Sequence, residues 1–438
     1  MTLTPTDFAR RRAALAARLP AGSLLLLPAA TTRYRNRDAE YPFRQHSDFL
    51  YLCGFPEPDA WLALKVTADG FQSVLFVLPR DPEKEIWNGY RAGPAGAVSD
   101  YGVDAAHELQ QLDLEVVKLL ADCEAIYYPF ADRDAAERVM SWRRRSAEGS
   151  REAATVAQAL HNLEPLLHSM RLVKDPQEQQ LMREAGRISA DAHLRAMQAC
   201  RPGLHEYHLQ AEIEYHFARQ GCRSPAYATI VGGGANGCIL HYTENQDLLQ
   251  SGDLVLIDAG CEHQGYAGDI TRTFPVNGRF SDPQRELYQL VLDAQLAAIS
   301  EVRPGAHFNR PHERAVEVLT AGLLELGLLS GELAALIADE AYRPFYMHRT
   351  SHWLGLDVHD VGDYKQGGEW RLLEPGMVLT IEPGLYVAPD NAQVDARWRG
   401  IGIRIEDDVL VTASGCEILT AAAPKTIAEI EQLMAGAT

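Results

Sequence analysis

Apolar and polar positions divide the chain into two parts with different predicted elements. In roughly the first 170 residues, short apolar runs typical of strands alternate with segments of helical periodicity. The predicted strands cover residues 24–28, 61–66, 73–78 and 125–128, and the predicted helices include 116–123 and 152–160. Alternation of this kind predicts an α/β fold for the first part.

A change of pattern predicts a domain boundary at about residue 174. There the sequence MRLVKDPQEQ precedes a long helical pattern, and Asp175 with Pro176 suits the start of a helix. Beyond it, helices mix with short strands that are separated by glycine-rich turns. We therefore expect an α/β domain over residues 1–173 and an α+β domain over residues 174–438.

Composition and charge narrow the class of function. The chain is 46% hydrophobic and 23% charged, as expected for a globular protein, and its net charge is −19. That charge argues against broad affinity for nucleic acid or an anionic membrane. No run of about 18 apolar residues occurs. The N-terminal segment predicts an amphipathic helix capped near Thr6 or Asp7, and it lacks the apolar core of a signal peptide.

Cysteine spacing and several missing motifs exclude other chemistries. The seven cysteines include no CxxC pair, which argues against a disulfide framework or a cysteine zinc site, so a reducing cytoplasm is expected. Neither GxSxG nor HExxH occurs. VGGGANG lacks the context of a phosphate-binding loop. Cys261 has no evident base beside it, and we expect a buried free thiol there.

Two aspartates flank a segment of turn-forming residues. Asp258 ends the run LVLID, Asp269 precedes ITRTF, and CEHQGYAG lies between them. A hairpin turning about residues 263–264 would place the two directly opposite each other, with Cβ atoms about 4.5–5.5 Å apart. Such carboxylates repel by roughly a few kcal/mol at an effective dielectric near 20, and a bridging cation would remove that repulsion. The alternative is a pair of aspartates that merely flank a turn.

Two glutamates lie at predicted strand ends. In GIGIRIEDD, Arg404 and Glu406 share one face of the strand while isoleucines occupy the other. This pattern indicates a partly buried polar face that needs partners, although a solvated strand end is an alternative. Glu382 follows the apolar strand VLTI in a Glu-Pro-Gly turn. Taken alone, an exposed turn glutamate is the favoured interpretation there.

Histidines are concentrated in the segment FYMHRTSHWLGLDVHDVG, which contains His348, His352 and His359. Imidazoles in so apolar a setting can bind a metal or transfer protons near neutral pH. His241, in CILHYTEN, is a fourth candidate. Taken singly, three of these four could instead be hydrogen-bonded core residues.

In combination, these motifs resemble those of the pita-bread metallopeptidases, and most closely the aminopeptidase P family. In the second part the resemblance rests on HYTEN, LVLIDAG, GDITRTF, MHRTSHWLGLDVHDVG, LTIEPG and GIRIEDD, and in the first part on RNRDAEYPFRQHSDFLYLCGF and IWNGYRAG. It covers the whole chain and implies an α/β N-terminal domain followed by an α+β pita-bread catalytic domain. Arg349 and Thr350, which follow His348, are given no functional weight.

The resemblance implies a site for two divalent metal ions, for which Mn²⁺ suits a carboxylate-rich set, although Zn²⁺ or Co²⁺ could also enter. Asp269 and Glu406 would bridge the two ions. Asp258 would chelate one ion, and His352 with Glu382 would chelate the other.

The resemblance also implies roles for residues around the metals. Glu382 would move protons, and Arg404 would orient a ligand carboxylate. His241 and His359 would contact the peptide and stabilise the tetrahedral intermediate, while His348 would line the proline side of the cleft. Similarity further suggests that Trp87 binds substrate in the active site of a neighbouring subunit, in a homotetramer or dimer.

The implied reaction releases the N-terminal residue from peptides with proline second, through a hydroxide shared by the two metals. The bond before proline is a tertiary amide without an N–H, which general peptidases grip poorly. Xaa-Pro dipeptidase shares the ligands and is the alternative. Methionine aminopeptidase needs no such first domain. Creatinase-like enzymes and binding-only modules of this fold lack ligands that this chain keeps.

Overall fold

The computed structural model describes residues 2–148 and 157–436. It divides into two compact units, one comprising Thr2–Arg171 and the other beginning at Leu172. Among the described residues, no helix combines the length and apolar character needed to cross a membrane.

The first unit is built on a six-stranded mixed sheet with the order β4-β3-β2-β1-β5-β6. Its strands are β1 (Ser23–Pro28), β2 (Trp61–Thr67), β3 (Gly70–Val77), β4 (Ala105–Glu108), β5 (Ala125–Tyr128) and β6 (Ala159–Asn162). The helices are α1 (Pro5–Ala16), α2 (Ser47–Cys53), α3 (Pro82–Asn88), α4 (Gly93–Tyr101), α5 (Leu112–Leu119), α6 (Arg133–Glu148) and α7 (Glu164–Leu172), with a 3₁₀ turn at Leu109–Gln111. β2 pairs antiparallel with both β1 and β3. The other three pairs, β3–β4, β1–β5 and β5–β6, are parallel.

The apolar runs that predict strands are confirmed in this unit. β1 is buried over nearly all of its length, because neighbouring strands flank it and helices cover the sheet. The predicted start of the first helix is wrong: α1 begins at Pro5, whose fixed φ suits that position, with Thr4 as the N-cap. Part of the helix predicted over 152–160 lies outside the described residues, and its end is wrong, because Ala159–Asn162 forms β6.

The second unit packs helices against small antiparallel sheets. Its helices are α8 (Pro176–Ala199), α9 (Glu206–Arg219), α10 (Asp282–Ser300), α11 (Arg310–Glu325), α12 (Leu333–Ala338) and α13 (Ile427–Ala435), with 3₁₀ turns at Gly234–Cys238 and Ala396–Trp398. The strands are β7 (Ile230–Gly233), β8 (Leu254–Asp258), β9 (Glu262–His263), β10 (Tyr266–Ala267), β11 (Thr271–Pro275), β12 (Lys365–Gln366), β13 (Glu369–Trp370), β14 (Val378–Ile381), β15 (Gly384–Tyr386), β16 (Gly402–Arg404), β17 (Asp407–Val411) and β18 (Cys416–Ile418).

Two three-stranded sheets, ordered β11-β8-β7 and β14-β17-β18, and the pair β15-β16 form the frame of this unit. The long helix α8 starts as the sequence predicts, with the carboxylate of Asp175 accepting the amides of Gln177 and Glu178 at 3.0 and 2.9 Å. Residues from α8, α10, β8 and β16 share one apolar core. Cys261 is fully buried as a free thiol, as expected. The polar side chains of the candidate site lie at the ends of strands whose apolar residues pack in the core.

Candidate active site

The hairpin that carries Asp258 and Asp269 forms, but in a different register from the prediction. Asp258 pairs with Thr271, so the expectation that it lies directly opposite Asp269 is wrong by two residues. The turn falls at Gln264–Gly265, where φ is 51° and 89°, because a tight hairpin turn needs positive φ and glycine adopts it freely. The hairpin therefore turns one position later than predicted.

Asp258 and Asp269 nevertheless converge on one hydroxyl. The Tyr227 hydroxyl lies 2.5 Å from Asp258 Oδ1 and 2.6 Å from Asp269 Oδ1. Burial, together with the two aspartates, raises the pKa of Tyr227 well above its ordinary value. The tyrosine therefore stays a neutral hydrogen-bond donor between two carboxylates. Sequence reasoning missed Tyr227, because SPAYATI contains no recognisable motif.

The junction between β16 and β17 brings Arg404 and Glu406 to this hairpin. Thr271 Oγ1 donates to Glu406 Oε2 at 2.7 Å, and Arg404 Nη2 donates to Asp258 Oδ2 at 2.6 Å. Ile403 and Ile405 pack into the core on the opposite face, as the strand pattern predicts. A solvated strand end is the wrong interpretation here, since Glu406 is only 2% exposed.

His352 and Glu382 come together because two extended segments pair. The Thr380 amide donates to the His352 carbonyl, and the Glu382 amide donates to the Thr350 carbonyl, at 3.0 and 2.9 Å. His352 Nε2 consequently lies 3.6 Å from Glu382 Oε1 and 3.4 Å from Asp269 Oδ2. The interpretation of Glu382 as an exposed turn residue is wrong, since its side chain is 18% exposed and lines the cavity.

Negative charge exceeds positive charge in this cluster. Burial raises the pKa of Glu382 to about 7, although His352 and Arg404 act against that rise. Burial and the neighbouring carboxylates raise the pKa of Glu406 well above its ordinary value. Burial alone would lower the pKa of His352, but Asp269 and Glu382 outweigh it and raise the value to about 9. Such a cluster favours protons or cations.

The donor set fits a divalent metal. One ligand atom each from Asp269, His352 and Glu406 lies within 4.8 Å of the other two, and Asp258 and Glu382 border the same cavity. Carboxylate oxygens with one imidazole nitrogen suit hard or borderline divalent cations. The ring of His352 is held through Nδ1, 2.9 Å from the Trp353 carbonyl, which leaves Nε2 for the site.

The remaining histidines border a cavity of about 760 Å³ in the second unit. His348 Nε2 lies 2.8 Å from the Tyr386 hydroxyl, and burial lowers the pKa of His348 to about 3. The ring of His359 lies 4.2 Å from that of His352, and burial lowers the pKa of His359. His241 is exposed to the cavity. The rings of His348 and His359 are therefore uncharged near neutral pH.

One wall of the cavity is apolar and includes Phe308, Val358, Tyr364 and Trp370. The cavity thus combines a polar cluster of possible metal ligands with a surface suited to a hydrophobic ring. Trp87 lies on α3 of the first unit, where it is 86% exposed. Its role across subunits stays a prediction.

Removing the Tyr227 hydroxyl is expected to weaken metal binding. Tyr227→Phe leaves Asp258 and Asp269 without their shared donor, and loss of such an orienting partner lowers metal affinity by about 10-fold or more. Competition with a chromophoric chelator measures this affinity. Tyr288→Phe is the control, since it removes a buried hydroxyl that donates to the Lys425 carbonyl. Equal affinities for wild type and Tyr227→Phe would contradict the expectation.

Comparison with known proteins identifies the class to which this fold and site belong. Residues 180–413 match the family model for Metallopeptidase family M24, and residues 8–127 match that for Aminopeptidase P, N-terminal domain. The chain therefore belongs to metallopeptidase family M24.

Individual relatives narrow its position to the aminopeptidase P group within that family. The chain is 49% identical over 433 residues to the Xaa-Pro aminopeptidase of Escherichia coli (strain K12), covering 98% of each. It is similar to the structure of Pseudomonas aeruginosa aminopeptidase PepP, with 53% identity, a TM-score of 0.98 and coverage of 99% of each chain. The chain is also similar to the structure of E. coli aminopeptidase P with the inhibitor Pro-Leu. The sequence identity is 48%, the TM-score is 0.97, and the match covers 100% of this chain and 99% of that chain. The expected family and fold class, with a pita-bread catalytic domain, are confirmed.

Proposed function

We propose that the cavity of the second unit hydrolyses the bond between an N-terminal residue and a following proline. The chain is an Xaa-Pro aminopeptidase and a metallopeptidase, and Xaa-Pro dipeptidase is not favoured. The observation that carries the proposal is the convergence of Asp269, His352 and Glu406 beside an apolar wall. It supplies a place for cations and a place for the proline ring within one cavity.

We propose that two divalent metal ions, Mn²⁺ by ligand hardness, occupy the polar cluster. When bound, the metals polarise the scissile carbonyl and acidify water. Zn²⁺ is the second candidate, because an E. coli aminopeptidase P has been described as Zn substituted. Asp258, Asp269, His352, Glu382 and Glu406 would hold these ions.

Glu382 is the proposed proton carrier. In the metal-free protein, burial raises the pKa of this carboxyl to about 7, the range in which a side chain exchanges protons at neutral pH. It lies 3.6 Å from His352 and 3.7 Å from His348, so it borders both the ligands and the proline side of the cavity. Glu382 accepts a proton from the attacking water and returns it to the prolyl nitrogen as the carbon–nitrogen bond breaks. Arg404 orients Asp258 through the hydrogen bond between them.

His241, His348 and His359 are the proposed peptide contacts. Because the pKa of His359 is lowered, its neutral ring can present one N–H to a carbonyl oxygen. The single N–H of neutral His348 is donated to the Arg349 carbonyl, 2.8 Å from Nδ1. His348 is fixed by the Tyr386 hydroxyl and faces the ring of proline. His241 and His359 hold the scissile carbonyl as its oxygen gains negative charge.

Assembly and location are also proposed. Ile86, Trp87 and Tyr90 are 82%, 86% and 90% exposed, and apolar side chains so exposed are typical of association surfaces. We infer a homo-oligomer, a tetramer or dimer, in which Trp87 contacts the substrate of a neighbouring subunit. All seven cysteines are free thiols, which suits a reducing cytoplasm.

Substrate length tests the proposed reaction. A tripeptide Xaa-Pro-Yaa is expected to yield free Xaa and Pro-Yaa, whereas the dipeptide Xaa-Pro is expected to remain intact. Chromatography of products over time measures both, and Xaa-Ala-Yaa serves as the control for proline selectivity. Cleavage of the dipeptide alone would replace the proposal with Xaa-Pro dipeptidase activity.

A further inference from the structure

His241 lies in a segment with little regular structure of its own. Between the 3₁₀ turn that ends at Cys238 and the start of β8 at Leu254, the chain forms neither helix nor strand apart from an isolated bridge at Leu248. The backbone of such a segment must be anchored by other groups. The direction of the His241 side chain therefore depends on how this segment, residues 239–253, is held.

The carboxylate of Glu206 is the anchor of this segment. Glu206 is fully buried at the start of α9. Its Oε1 accepts the Gly233 amide at 2.7 Å and Asn236 Nδ2 at 3.0 Å. Its Oε2 accepts the Tyr242 hydroxyl and the Asp247 amide, both at 2.9 Å. Donors from before and after His241 thus meet on one side chain.

The charge on Glu206 is stabilised by these donors. The four donors are two backbone amides, one side-chain amide and one hydroxyl, all of them neutral groups. Hydrogen bonds to an ionised acceptor are about twice as strong as neutral ones, and the N-terminus of α9 favours a negative charge. Losing any one donor would leave the buried carboxylate with fewer hydrogen bonds, which costs free energy. The four hydrogen bonds therefore hold the segment in place.

The motif HYTEN divides into one cavity residue and two anchors. His241 is exposed to the cavity, whereas Tyr242 is only 6% exposed and points to Glu206. Asn245, at a φ of 48°, accepts the Val231 amide through Oδ1 at 2.9 Å. Its Nδ2 donates to the Thr229 carbonyl at 2.8 Å. Asn245 thus ties the segment to β7 and to Thr229 just before it, and Tyr242 ties the segment to Glu206.

We propose that Glu206, acting through Tyr242, is a positioning residue that fixes the direction in which His241 enters the substrate cavity. This inference rests on the proposed contact between His241 and the peptide. Glu206 and Tyr242 do not touch substrate. They act by limiting the orientations of the adjacent histidine, and a catalytic donor must be held within a fraction of an ångström.

The conservative variant Tyr242→Phe tests the proposal. It removes one donor from Glu206 and keeps the packing of the ring, and kcat/KM on Xaa-Pro-Yaa is expected to fall about 10-fold. Glu206→Gln replaces one acceptor oxygen with an amide donor and is expected to lower kcat/KM more than Tyr242→Phe does. Tyr207→Phe is the control, because Tyr207 follows Glu206 in α9 but is 46% exposed. Unchanged kinetics in Tyr242→Phe would overturn the proposal.

A double-mutant cycle with His241→Ala separates positioning from a general structural effect. If Tyr242 acts through His241, the loss caused by Tyr242→Phe disappears when His241 is already alanine. An equal loss in both backgrounds would overturn the proposal, as would full activity of His241→Ala on Xaa-Pro-Yaa. In the latter case, continued cleavage leaves the proposed reaction intact. A wild-type enzyme that does not cleave Xaa-Pro-Yaa marks the separate failure of the proposed function.

Discussion

Asp269→Asn is expected to lower kcat on an Xaa-Pro-Yaa tripeptide by about 10³-fold or more. The substitution keeps the shape of the side chain but removes one negative charge from the centre of the cluster. Asp269 Oδ2 lies 3.4 Å from His352 Nε2, and its Oδ1 lies 2.6 Å from the Tyr227 hydroxyl. Loss of a proposed metal ligand is expected to remove several kcal/mol of charge stabilisation, which corresponds to this change in rate.

The fold of this variant should survive. Replacing one crowded carboxylate by a neutral amide relieves repulsion, so the melting temperature of the metal-free protein is expected to stay the same or rise. Metal content per chain, measured by plasma emission, should fall below that of wild type. Asp293→Asn, on the exposed face of α10, is the matched control. Wild-type activity of Asp269→Asn in excess Mn²⁺ would remove this residue from the site.

Removal of metal is expected to abolish activity and to lower the melting temperature by several degrees. Ligands that bind only the folded state stabilise it by about 4 kcal/mol at a concentration 1,000 times Kd. For a domain of this size, each kcal/mol shifts the melting temperature by about 2–4 °C. Dialysis against a chelator, followed by calorimetry and peptide assay, measures both effects. Return of activity on adding Mn²⁺, Zn²⁺ or Co²⁺ separately identifies the preferred ion.

Metal binding should also release protons. In the metal-free protein the pKa of His352 is about 9, so its ring carries a proton at neutral pH and must lose it to bind. Glu382, with a pKa of about 7, adds to this release. Affinity is therefore expected to fall as the pH falls. Titration calorimetry in buffers of different ionisation enthalpy counts the protons, and Asp269→Asn should show a smaller release.

The predicted stabilisation by bound metal would be contradicted if the metal-free and the metal-loaded protein had equal melting temperatures.

Local patterns predicted faces and elements better than they predicted register. The alternation in GIGIRIEDD correctly placed isoleucines in the core and Arg404 with Glu406 on the polar face, because side chains alternate along a strand. The predicted hairpin register is wrong, because symmetry between Asp258 and Asp269 does not determine where the chain turns. Gly265 supplies the positive φ that a tight turn needs, and this sets the position of the turn.

The burial of Glu382 depends on contacts that local sequence does not contain. Its neighbours are brought by the pairing of residues 350–353 with β14, and segments so far apart carry no mutual signal. Tyr227 was missed for the same reason, since its partners are 31 and 42 positions away. The candidate ligands were found only because several motifs occur together and resemble one family.

The only arginine bound to Asp258 among the described residues is Arg404, which stands 146 positions later in the chain. During synthesis, the acidic hairpin therefore has no such counter-charge until the ribosome has passed residue 404. Glu406 arrives at the same stage. A chain that stops before residue 404 consequently lacks both groups, and we expect it to have an incomplete metal site and no peptidase activity.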